Sequence, residues 1–237
     1  SAAMQRAGMT WKKVQIRYFP GASVSDAAGA INGARSTGFK ILIGTVGNPQ
    51  DLAAGGNAYV QAYANWLGEI AALGPDGIEV WNEPNIDREW PRGQISGQAY
   101  AEMLRQGYQA IKARNASVIV ISAAPAPTGA EAAFPGQVVN DDRWLRDVVS
   151  AGGLNYMDCL GAHYNEGIVS PGTFSGDPRG EFPTYYFGSM TNRVAQYFPG
   201  RPICYTELGY LSAEGMGSPL PANFGWAAET SVAEQAA

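Results

Sequence analysis

Histidine and cysteine are nearly absent from this chain. One histidine (His163) and two cysteines (Cys159 and Cys204) among 237 residues exclude a multi-histidine metal centre, a cysteine-based zinc site and a disulfide-dense scaffold. Charge is sparse too, with 16% charged residues, a formal net charge of −5 and no Lys/Arg block. That balance argues against nucleic acid or an anionic membrane surface as partner. No stretch approaches the roughly 18 consecutive apolar residues of a spanning helix. Neither a G-x-G-x-x-G nor a Walker-type loop follows any candidate strand, which removes the main support for a nucleotide-binding open sheet. The opening Ser1-Ala2-Ala3-Met4-Gln5-Arg6 lacks the apolar core of a signal peptide.

What is present is apolar and turn-rich: 46% hydrophobic and 11% aromatic residues, with 30 Gly and 15 Pro. This composition suits a compact fold with many short loops, and the length suits one domain over residues 1–237 with a sizeable core. Strand and helix patterns alternate along the chain. Strand signals cover Val14–Phe19, Phe39–Val46, Gly77–Trp81, Ser117–Ala123, Tyr156–Ala162 and Arg201–Thr206. Between them, helical periodicity runs over 25–37, 57–73, from Ser96 onward, near 141–151 and near 184–198. The helix over 57–73 places Tyr59, Tyr63, Trp66, Ile70 and Leu73 on one face. A long loop spans about 165–183, and Trp226 opens one more helix. Such alternation implies right-handed βαβ units and a parallel sheet, hence an α/β fold, either a closed barrel or an open doubly wound sheet.

The polar residues decide between them. Arg17, Asn82, Glu83, His163 and Glu207 all fall at or near C-terminal ends of strands, where a barrel gathers its active site. Glu83 ends a hydrophobic strand, where desolvation raises a carboxyl pKa, and the following Pro84 favours extended backbone. Glu207 closes a second such strand. Two glutamates on different strands of one barrel match the needs of glycosidic cleavage, in which one carboxyl protonates the leaving oxygen and the other attacks or activates water. For each glutamate alone, a turn-capping role is the ordinary alternative.

Trp-Asn-Glu-Pro-Asn at 81–85 and Tyr-Thr-Glu-Leu-Gly-Tyr at 205–210 resemble the two signatures of clan-A glycoside hydrolases, the (β/α)8 retaining enzymes. The resemblance implies Glu83 as acid/base, Glu207 as nucleophile, and Asn82 bonded to the sugar 2-hydroxyl. Arg17 matches the arginine that keeps the nucleophile ionised, and His163 a histidine lining the cleft. The six strands then correspond to strands 2–7 of a TIM-type barrel that lacks strands 1 and 8. The pattern departs from the family at Tyr164, which adjoins His163 directly, and in having no counterpart of the strand-8 tryptophan. Activity is implied on O-glycosidic bonds, β-linked, in a poly- or oligosaccharide, with no metal and no organic cofactor. Such a hydrolase is expected to be extracellular or periplasmic. The alternative is a carbohydrate-binding barrel without catalytic activity.

Further expectations concern individual side chains. Trp90 and Trp226 are candidate sugar-stacking platforms, with plain packing as the alternative. Tyr164, Asn165 and Glu166 could contact substrate, though Glu166 reads more simply as a solvated loop charge. Glu79 shares the parity of Glu83 and reads as a core carboxylate needing a partner. Parity places Cys159 on the face of His163 but Cys204 off the face of Glu207, which predicts two free thiols. Unpaired outer strands predict either self-association that covers the open barrel edges or marginal solubility.

Overall fold

The computed structural model describes residues 2–236. Six strands alternate with helices: β1 (Trp11–Arg17), β2 (Lys40–Val46), β3 (Gly77–Val80), β4 (Ile119–Ser122), β5 (Leu160–Gly167) and β6 (Ile203–Tyr210). The helices are α1 (Ala2–Arg6), α2 (Ser25–Arg35), α3 (Pro49–Ala72), α4 (Gly97–Arg114), α5 (Asp141–Ser150), α6 (Phe187–Ala195) and α7 (Val232–Ala236). Every strand pairing is parallel. β1 to β4 form one sheet in chain order, and β5 and β6 form a second. A parallel bridge between Ile121 and Cys159 joins the two, backed by Ser122 N–H donating to Cys159 O at 3.1 Å. The result is an incomplete TIM-type barrel with its helices outside.

Burial explains the strand compositions. β3 is buried along its whole length, and β2 everywhere except Lys40. That is the near-continuous apolar run expected of parallel strands covered on both faces. Helices α3 and α4 pack Tyr63, Leu67, Ile70, Tyr100, Leu104 and Ile111, all fully buried, against the sheet. Each such side chain contributes about 1.5–3 kcal/mol by leaving water. α3 begins eight residues earlier than its periodicity suggests. Asn48 caps it by accepting from Gln50 N at 2.8 Å and Asp51 N at 3.1 Å, and Gly56, at φ 51°, kinks it before the periodic part.

The cysteines correct the parity argument. Cys159 and Cys204 form a disulfide with a Cα–Cα distance of 5.9 Å. The registers show why. Ala162 pairs with Tyr205 but His163 with Glu207, so Thr206 is an extra residue in β6. Such a bulge shifts the alternation by one, and counting back from Glu207 puts Cys204 on the wrong face. The bond closes a span of 45 residues. Replacing both cysteines by serine should destabilise the protein by about 2–4 kcal/mol in denaturant titration, and thiol titration of the unreduced, unfolded chain should find no free thiol.

Candidate active site

The site begins where β3 stops. Trp81 and Glu83 carry positive φ values of 76° and 38°. Non-glycine residues avoid this region, and such strain persists only where the surroundings impose it. The extended geometry expected of Glu83 before Pro84 is therefore not what forms. Two buried tyrosines impose the turn. Tyr63 accepts the Trp81 N–H at 3.1 Å, and Tyr100 donates to Val80 O at 2.8 Å while accepting from Ala123 N at 2.5 Å. Trp81 is fully buried, and its indole donates to Glu89 O at 2.8 Å. Gly47 makes room for it, since a Cβ there would overlap the Trp81 ring and the Tyr59 hydroxyl. Glu83 N–H then donates to Ala124 O at 3.1 Å, which fixes the residue between β3 and the chain following β4.

Glu83, His163 and Glu207 converge. His163, on β5 and fully buried, sets Nδ1 3.1 Å from Glu83 Oε1 and 3.8 Å from Glu207 Oε2. One carboxylate or ring atom from each of the three lies within 4.8 Å of the others, close enough for one divalent cation to reach all three. Arg88 holds the other oxygen of Glu83, Nη2 to Oε2 at 2.5 Å. Asn165 Nδ2 donates to Glu207 Oε2 at 3.0 Å, and Lys13 Nζ lies 3.6 Å from Glu207 Oε1. Glu83 is 8% exposed, while the Glu207 side chain is 36% exposed. Burial pushes the Glu83 carboxyl up, but the hydrogen bond and charge of His163 and the Arg88 guanidinium outweigh it and hold the group below its ordinary value. The elevation expected from desolvation alone is therefore reversed.

The other expected residues divide. Trp226 is half-buried and lines a cleft of about 650 Å³ together with Glu83, Arg88, Asn165, Arg179 and Tyr185. Asn82 is buried beside Glu89, and its amide oxygen has no partner. Trp90 is 4% exposed, packed edge-on against Trp81 and Tyr100, and is a core residue, not a platform. Tyr164 is likewise fully buried, against Phe187 and Tyr210, with its hydroxyl donating to Tyr185 O. Arg17 points its guanidinium at Gly47 O, at 2.5 Å. The cation beside Glu207 is Lys13, four residues before Arg17 on the same strand. Glu166 is no solvated charge: it is half-buried and pairs with Arg179 at 3.3 Å. Arg179 is stacked 4.1 Å from the Tyr185 and Trp226 ring centres and anchored to buried Asp177 at 2.7 Å. Lys13, Arg88 and Arg179 carried no motif in the sequence. Glu79 did carry a signal, as a buried carboxylate needing a partner, and finds it in Lys13 at 2.8 Å.

No family model matches the chain, and no curated protein matches it. Solved structures do. A GH53 catalytic domain from Ignisphaera aggregans aligns with a TM-score of 0.61 at 16% identity, over 94% of this chain and 64% of that one. A GH128 (subgroup II) endo-β-1,3-glucanase from Sorangium cellulosum gives 0.58 at 18%, over 99% and 73%. A glycoside hydrolase family 5 enzyme from Prevotella bryantii gives 0.55 at 13%, over 87% and 64%. The chain thus spans less than two thirds of the length of the first and third of these. At such identities the likeness concerns architecture: the chain has the TIM-type barrel fold found in these clan-A-like glycoside hydrolases, in incomplete form.

Proposed function

We propose that this protein hydrolyses O-glycosidic bonds of a poly- or oligosaccharide by retaining double displacement. The observation that carries the reading is the approach of the Glu83 and Glu207 carboxylate oxygens to within 4.8 Å, one just beyond β3 and the other within β6. Retaining enzymes separate their carboxyl groups by about 5–5.5 Å, whereas inverting enzymes leave roughly 6.5–9.5 Å for a water. In the first step a Glu207 oxygen bonds to the anomeric carbon, the glycosidic C–O bond breaks, and Glu83 passes its proton to the leaving oxygen. In the second, water attacks the same carbon, its proton returns to Glu83, and the bond to Glu207 breaks. Asn82, buried with an unpartnered amide oxygen, is the residue this reading assigns to a sugar hydroxyl. Trp226, which lines the same cleft as Glu83, offers an aromatic surface to a sugar.

The charges around each glutamate suit these roles. Lys13 and Asn165 both face Glu207, at 3.6 and 3.0 Å from its carboxylate oxygens. Arg88 is exposed over 69% of its side chain, so an arriving sugar can displace it from Glu83 and return the carboxyl toward the protonated form. The disulfide supports an oxidising, extracellular or periplasmic compartment. Exposed Trp11 and Val14 on β1 and Leu208 on β6 support pairing of two copies along the open edges. The carbohydrate-binding alternative keeps the same cleft but turns nothing over.

Glu207→Ala should lower kcat on aryl β-glycosides by on the order of 10⁴-fold or more, and azide should restore turnover with a product of inverted anomeric configuration. Retention of full activity would remove Glu207 from the chemistry. Arg88→Met removes a cation that lowers the Glu83 pKa, so the acid stays protonated to higher pH. The basic limb of the kcat/KM profile should accordingly move upward, with the acidic limb in place. Light scattering after size exclusion should report a dimer, and a clean monomer would refute the edge-pairing reading.

A further inference from the structure

Beneath the two glutamates of the proposed reaction lies a third, Glu79, which that reaction leaves unused. It sits on β3, is 1% exposed, and belongs to a chain of polar atoms running across the barrel interior. Glu79 Oε2 meets Lys13 Nζ at 2.8 Å, and Lys13 continues to Glu207 Oε1 at 3.6 Å. On its other side, Glu79 Oε1 faces His163 Nε2 at 3.9 Å, and His163 Nδ1 continues to Glu83 Oε1 at 3.1 Å. Both atoms across the 3.9 Å gap are buried and lack a hydrogen-bond partner. A shift of about 1 Å closes that gap to a hydrogen bond. Buried polar atoms without partners are costly, which favours the closure.

The backbone is shaped for this arrangement. β2 lies between β1 and β3, and its residue in register with Glu79 is Gly44. A Cβ there would stand 2.9 Å from the Lys13 side chain and 3.3 Å from Glu79 Oε2. Glycine thus leaves the channel through which β1 and β3 join their charges across the intervening strand.

We infer that Glu79 is a positioning residue that accepts the Nε2–H of His163, and so turns the Nδ1 lone pair toward Glu83, while it anchors Lys13 against Glu207. The inference rests on the proposed retaining mechanism. The charged groups facing His163 are Glu79 at Nε2 and Glu83 and Glu207 at Nδ1, with Lys13 behind Glu79 and Arg88 behind Glu83. An unprotonated Nδ1 facing Glu83 accepts a hydrogen bond only from the protonated acid. The downward pull of His163 on Glu83 requires a proton on Nδ1. Giving that proton to Nε2 removes the His163 share of the pull, so that once an arriving sugar displaces Arg88, burial favours the general acid. Glu79 thereby selects the form of Glu83 that the first chemical step consumes.

The test uses the fact that the chain has one histidine, so its ring ¹⁵N signals need no assignment. In the wild type near neutral pH, Nε2 should carry the proton and Nδ1 should not. In Glu79→Gln, the single amide oxygen turns to Lys13 and the NH2 group faces Nε2, so the tautomer should reverse to Nδ1–H. In that variant kcat should fall on the order of 10²-fold with KM unchanged, and the basic limb of the pH profile should move to lower pH. A wild-type ring protonated at Nδ1, or a Glu79→Gln ring with the wild-type tautomer, would overturn the inference. If Glu79→Gln fails to fold, the wild-type spectrum alone decides. A wild type that hydrolyses no glycoside refutes the proposed function, while the spectrum still answers for Glu79.

Discussion

The turn at the end of β3 is the constraint on which the rest depends. A strand that is buried along its whole length must change direction within three residues, and it does so through two left-handed backbone conformations at Trp81 and Glu83. Each costs on the order of 1–3 kcal/mol. The tyrosine hydroxyls of α3 and α4, which bond to the backbone at Val80, Trp81 and Ala123, together with the fully buried Trp81 indole, hold it in place. The same bonds place those tyrosines deep in the protein, where burial drives the Tyr63 and Tyr100 hydroxyls far above the ordinary tyrosine range. They remain neutral donors and acceptors.

Around that turn, charge is arranged so that each glutamate meets different neighbours. Glu83 is enclosed, with His163 on one oxygen and Arg88 on the other. Glu207 is more open, with an amide and an ammonium group at its oxygens. Two carboxyls a few ångströms apart in dissimilar environments are what the proposed division between acid and nucleophile calls for. The cleft beside them is stiffened by Arg179, which is stacked between Tyr185 and Trp226 and tied to a carboxylate beneath.

Much of this was legible from residue patterns, and the failures have physical causes. All six strands and the main helices follow from periodicity, because parallel strands and amphipathic helices leave strong apolar signatures. Glu83, His163 and Glu207, which the structure brings together, were singled out with Asn82 because short motifs on successive strands mark them. Trp90 and Tyr164 were misplaced because an aromatic ring beside a motif looks the same whether it faces a sugar or a neighbouring ring. Arg17 was expected beside Glu207, where Lys13 stands instead; the two lie four residues apart on β1, and alternation alone does not say which reaches that carboxylate. The disulfide was missed through a single bulged residue, Thr206, which no local propensity announces. Arg88 and Arg179 sit on loops, whose routes the alternation of strands and helices does not fix.

The sheet is also not continuous. β1 to β4 form one ladder and β5 with β6 another, and a lone bridge with a few neighbouring bonds joins them at Ile121 and Cys159. Glu83 stands on one side of this seam, His163 and Glu207 on the other. The gap between the carboxyls is therefore set by how two rigid half-shells meet, not by the pleat of a single sheet. A slight opening along the joint would lengthen that gap without breaking either ladder, whereas the sulfur bridge beside the joint binds its β5 border to the outermost strand, so the second half-shell moves as one piece.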